Sequence, residues 1–89
     1  MTHLQREIDR LKRKILALGA LVEDSLRLAF QAIEARDPDK AHRVIVTDVL
    51  IDDQEVDVEE ECLKILALYQ PVASDLRFLV AVIKINSEL

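Results

Sequence analysis

Backbone breakers are almost absent from this 89-residue chain: Gly19, Pro38 and Pro71 are all it has. A chain so poor in breakers, and rich in Leu, Ala, Glu and Lys, is built for long helices. No stretch shows the strict alternation of a strand. Asp37-Pro38 offers an N-cap followed by the residue preferred at the first helical position. Pro71 can open a third helix in the same way, although no Ser, Thr, Asp or Asn precedes it. The sequence therefore predicts three helices, at about 3–36, 38–69 and 71–89. No internal repeat or low-complexity stretch is visible.

The first segment carries an apolar seam through Leu4, Ile8, Leu11, Ile15, Leu18, Val22, Leu26, Ala29 and Ile33. Steps of three and four residues make this the stripe of a helix packed along its whole length, roughly 45–50 Å. Gly19 interrupts the helix at a cost of about 1 kcal/mol against alanine, which predicts close approach of a neighbouring helix. In the third segment Val72, Leu76, Leu79 and Ile83 share one face, widened by Val80 and Val82. Helices this long, joined by tight turns, must run antiparallel. The expected fold class is all-α, an antiparallel three-helix bundle.

Several functions are excluded or disfavoured. A chain of this size buries a modest core and is marginal unless a partner completes it. One cysteine permits no internal disulfide and no cysteine-based zinc cluster, which fits a reducing, cytoplasmic setting. The start, MTHLQREIDRLKRK, is densely charged and lacks the apolar core of a secretory signal. The longest apolar run, FLVAVI, is far too short for membrane insertion. A net charge of −5 and few aromatics disfavour nucleic acid as a partner.

The second segment poses a problem. Residues 52–61, DDQEVDVEEE, hold seven carboxylates and no base. Like charges at helical neighbour spacing repel by a few tenths of a kcal/mol per pair. On a helical wheel with Asp48 at zero, Asp52 lies at about +40°, Glu55 at about −20° and Glu59 at about +20°. Asp53, Asp57, Glu60 and Glu61 fall on the opposite side, with Lys64 and Arg43. There are thus two acidic stripes. The second sits mostly among polar residues and reads as a solvated face, partly covered at Val46 and Leu50. The first is flanked by Ile51, Val58, Cys62 and Ile65 on one side and by Ile45, Val56 and Leu63 on the other. Unpaired carboxylates turned into a bundle cost several kcal/mol each. They can take protons, meet bases such as Arg6, Arg10, Lys12, Arg13 or Lys14, or bind a cation. Should the face be only half covered, they stay wet. An all-oxygen donor set suits a hard cation: magnesium, calcium, manganese or ferric iron.

Other candidate groups have plainer readings. Neither His3 nor His42 stands three residues after a glutamate, as the carboxylate-bridged bundle enzymes require. Cys62 has no histidine placed to activate it and reads as a core residue. Ser74 and Asp75 are first-turn residues, and Asp75 would repel a phosphate there. Arg77 can pair with an acid of the second helix or stay exposed. Tyr69 packs its ring with its hydroxyl at the rim.

The stretch EEECLKILALYQPVASDLRFLVAVIKINSEL resembles the first repeat of the PhoU family of bacterial phosphate-uptake regulators. The likeness runs through Cys62, the ILAL run at 65–68, Gln70-Pro71, Ala73, Asp75-Leu76-Arg77 and Lys84-Ile85. Upstream, Asp48, Ile51, Glu55 and Glu59 stand where that family places an acidic motif. The resemblance implies an all-helical, often oligomeric cytoplasmic protein, not an enzyme. It implies a regulator that acts with the phosphate ABC transporter and a sensor histidine kinase to restrain uptake and starvation signalling. It also implies metal clusters, often iron, held by acidic motifs on the second and third helices. Carried onto this chain, the metal ligands would be Asp48, Asp52, Glu55 and Glu59, with Glu88 opening a third-helix motif that then stops. Tyr69 stands where the family commonly has arginine. The implied site is half built, and the uncovered apolar surface predicts self-association into a homo-oligomer. The alternative is a helical oligomerisation fragment with no metal site and no regulatory role. A carboxylate-bridged metalloenzyme is the weakest reading.

Overall fold

A computed structural model describes residues 2–88. Three helices, α1 (His3–Ala35), α2 (Pro38–Tyr69) and α3 (Ala73–Glu88), form an antiparallel bundle, with no strand among the described residues. The body measures 50 × 24 × 17 Å, so α1 and α2 run its full length and α3 about half of it.

Local chemistry sets the helix ends. Thr2 Oγ1 accepts from Gln5 N–H at 3.1 Å and caps α1. At the other end Arg36 turns left-handed (φ 50°), and its N–H reaches Ala32 and Ile33 carbonyls. Asp37 N–H also donates to Ala32 O, completing a Schellman closure with arginine where glycine is usual. The same Asp37 then caps α2, its Oδ1 accepting from Asp39 and Lys40 N–H, with Pro38 in the first turn as expected.

The third helix starts two residues later than the sequence suggests. Gln70 is left-handed (φ 46°) and closes α2; Ala73 is left-handed too (φ 54°). Pro71 is buried in the connection between them instead of opening the helix. The predicted end at Leu89 lies outside the described residues.

The core joins Leu11 and Leu18 of α1, Ile51, Val58, Cys62 and Ile65 of α2, and Leu79 of α3. The α1 seam departs from its expected path beyond Val22. It continues through Ser25, Ala29 and Ala32, which keeps the 3,4 step unbroken, and leaves Leu26 and Ile33 exposed. Small residues at these contacts let α1 and α2 lie close. In α3 the inward face is Leu79 with half-buried Phe78, Val82 and Ile83, whereas Leu76 and Val80 are exposed, as is Val72 in the connection before the helix. α3 lies mainly against α2. Gly19 is not met by a neighbour: a Cβ built there finds no atom within 4 Å.

Candidate functional site: the carboxylate row of α2

Because Ile51, Val58, Cys62 and Ile65 turn into the core, the carboxylates beside them run along its border. Asp48, Asp52 and Glu59 are exposed and Glu55 is half-buried. Ile45, Val56 and Leu63, which flank the row on its other side, are exposed. The row therefore does not lie in the middle of a covered face, as the wheel suggested; it divides a buried apolar flank from an open one. Along the axis it spans about 16 Å. α3 comes closest at Asn86, whose Nδ2 donates to the Glu55 carbonyl at 2.7 Å. Glu88 is exposed at the end of α3.

Among the described residues none of these five carboxylates pairs with a base. The bases of α1 go to the other stripe. Lys14 Nζ lies 2.9 Å from Asp57 Oδ2 and 3.3 Å from Glu61 Oε1, and Arg10 lies 4.0 Å from Glu61. The stripe expected to be solvated is thus in part the polar seam between α1 and α2. The cause is geometric: α1 packs on the Ile65 side of α2, so its bases reach the acids beyond that ridge. The sequence carried a signal for this. Arg10 and Lys14 are four apart on one antiparallel helix, as are Asp57 and Glu61 on the other, so two rungs match. The hydrogen bond to Asp57 is the main cause that raises the Lys14 pKa; partial burial opposes it, and Glu61 adds to it. Glu61 Oε2 is buried without a hydrogen bond, its nearest cation being Lys64 at 3.9 Å.

Cys62 is completely buried, and its thiol is pushed up to about 11, chiefly by burial, with the charges of Glu59 and Glu61 adding. A thiol so disposed is protonated at neutral pH and suits the core. His3, His42, Ser74 and Arg77 are exposed, and Tyr69 is half-buried against the core.

The row has the donor chemistry of a hard-cation ligand set. Such a cation takes six or more oxygens. Among the described residues no three His, Cys, Asp or Glu side chains converge closely enough to hold one. The donors fit in kind and fall short in number at any one point.

The fold class is an all-α helical bundle with a line of carboxylates along one edge of α2. Residues 15–89 match the family model described as the PhoU domain, and the chain belongs to that family. It is 40% identical over 83 residues to a phosphate-specific transport system accessory protein PhoU of Edwardsiella tarda, covering 93% of this chain and 34% of the relative. The Escherichia coli K12 protein of the same name is 36% identical over the same shares. A PhoU homolog of Aquifex aeolicus is 36% identical over 86 residues, 97% of this chain and 39% of the relative. The chain thus spans between a third and two-fifths of the length of these curated relatives. No solved structure gives a significant match. No helix among the described residues is long and apolar enough to cross a membrane.

Proposed function

We propose that this chain is part of a cytoplasmic, non-catalytic regulator of phosphate uptake and phosphate-starvation signalling. It works by contact with the phosphate ABC transporter and its sensor histidine kinase. The observation that carries this reading is the PhoU match across residues 15–89, joined by relatives that are themselves named as accessory proteins of phosphate transport. Deleting the gene is expected to derepress phosphate-starvation promoters in phosphate-rich medium. A reporter that stays silent in the deletion strain would sink the assignment.

We further propose that Asp48, Asp52, Glu55 and Glu59, with Glu88, contribute part of a site for iron or another hard cation. Four carboxylates without a base against them, beside an open apolar flank, support this. The remaining oxygens would come from outside the described residues. Elemental analysis of protein purified without added metal tests it: Glu55→Ala with Glu59→Ala is expected to remove most bound metal at unchanged helicity. The competing reading, a helical association module without metal, draws on the exposed apolar side chains of α1. Equal metal content in parent and double variant would favour it.

A further inference from the structure

The joint before α3 is built unlike the joint before α2. Asp37 caps α2 with its side chain, whereas among the described residues no side-chain hydrogen bond caps α3. Gln70 and Ala73 are both left-handed, at φ 46° and 54°. That conformation is disfavoured for any residue with a Cβ, and Ala73 has no polar side chain to offset it. Pro71, between them, is buried, and Val72 and Ala73 beyond it are exposed. The near side of the joint is thus pinned to the α1–α2 hairpin, and strain sits on its open side.

The helix that follows is held lightly. Leu79 is its one buried side chain, and among the described residues no ion pair ties it to α1 or α2. Asn86 Nδ2 donates to the Glu55 carbonyl, and the Lys12 ammonium lies 5.4 Å from the centre of the Phe78 ring. Under the C-terminal half of α3 an apolar cleft of about 110 Å³, lined by Ile15, Leu18, Val58, Val82, Ile85 and Asn86, leaves the interface partly unfilled. Leu79 stands seven residues before Asn86 and Cys62 seven after Glu55, so the antiparallel run sets Leu79 level with Cys62.

We infer that α3 is a hinged strap: it leaves and rejoins the α1–α2 hairpin as a unit, turning at Val72-Ala73, and so uncovers and covers the Val58–Cys62–Ile65 ridge of α2. Two opposed terms make it a two-state element. Burial of Leu79 favours the closed form, and release of the left-handed backbone at Ala73 favours the open one. The hairpin stands through the change, because its own seam of Leu11, Leu18, Ile51 and the Lys14 ion pairs does not involve α3. The inference depends on neither the proposed regulatory role nor a bound cation.

Cys62, the single cysteine and fully buried, reports the opening. Its rate of modification by a thiol reagent is measured in the 89-residue chain over low urea, beside global unfolding followed by circular dichroism. The rate is expected to rise with urea, with a slope well below that of global unfolding. Ala73→Gly relaxes the closed joint and is expected to slow labelling at least about twofold. Leu79→Ala is expected to speed it at least about tenfold. Asp37→Ala separates the strap from whole-molecule unfolding. It removes the α2 cap at the opposite tip, lowers global stability, and is expected to leave the labelling rate within about twofold. Labelling with the full urea slope, labelling that ignores urea, acceleration in Asp37→Ala in step with global unfolding, or no response to Ala73→Gly overturns the proposal.

Discussion

Lys14 Nζ stands 3.3 Å from Glu61 Oε1, and the Glu61 side chain retains only 12% of its exposure. Lys14→Met keeps the apolar stem and removes the charge, which leaves Glu61 without its nearest cation inside the α1–α2 seam. The expected cost is about 1–3 kcal/mol. In a chain this short that lowers Tm by about 5 °C or more, measurable by thermal circular dichroism. Asp52→Ala, on the unpaired row, is expected to change stability by less than about 0.5 kcal/mol. Equal effects of the two substitutions would show that Lys14 has no structural role.

Stability is expected to fall on the alkaline side. Lys14 has its pKa raised by Asp57, so its contribution is full below the ordinary 10.5 and is lost as pH rises through its folded value. Cys62 is raised from 9.0 to about 11, so the fold favours the neutral thiol; that contribution is full below 9.0 and is lost towards about 11. Through Cys62, Tm is therefore expected to fall between pH 9 and 11, and to fall less in Cys62→Ala; the Lys14 contribution is lost only above 10.5. A Tm flat to pH 11 would contradict the Cys62 assignment.

α3 is anchored by a single fully buried side chain, Leu79, and by the Asn86 hydrogen bond to Glu55. Leu79→Ala is expected to cost about 2–5 kcal/mol. Because α3 packs chiefly on α2, its amides are expected to exchange first, before those of α1 and α2. Hydrogen exchange that accelerates equally in all three helices would refute this order.

The α1–α2 turn predicts two opposite substitutions. Asp37→Ala removes the acceptor of two α2 N–H groups and is expected to destabilise by about 0.5–2 kcal/mol. Arg36→Gly relieves a left-handed arginine, and is expected to stabilise by up to about 1–2 kcal/mol. Chemical denaturation of both variants measures the pair. A stability loss in Arg36→Gly would mean that the arginine side chain matters more than its backbone.

The helices and the Asp37 cap were legible because breakers and capping residues act locally. What failed were choices between neighbouring stripes. Leu26 and Ser25 compete for the α2 contact, and size alone favours leucine; the structure takes the serine because an unbroken 3,4 step keeps the seam straight. Asp57 and Glu61 looked solvated because a wheel describes one helix and says nothing about which side its neighbour takes. The same ignorance placed the Asp48–Glu59 row at the centre of a covered face, when α1 and α3 meet α2 to one side of it. Glu55, half-buried beside Asn86, is the member of the row closest to that meeting.

The Arg36 and Asp37 N–H groups close one rod, and the Asp37 carboxylate and carbonyl start the next. A joint of that kind has no slack in which to bend. The two long helices are therefore set against each other from that tip onward, and the choice of register made there is felt at the far end of the body, 50 Å away, where α3 begins.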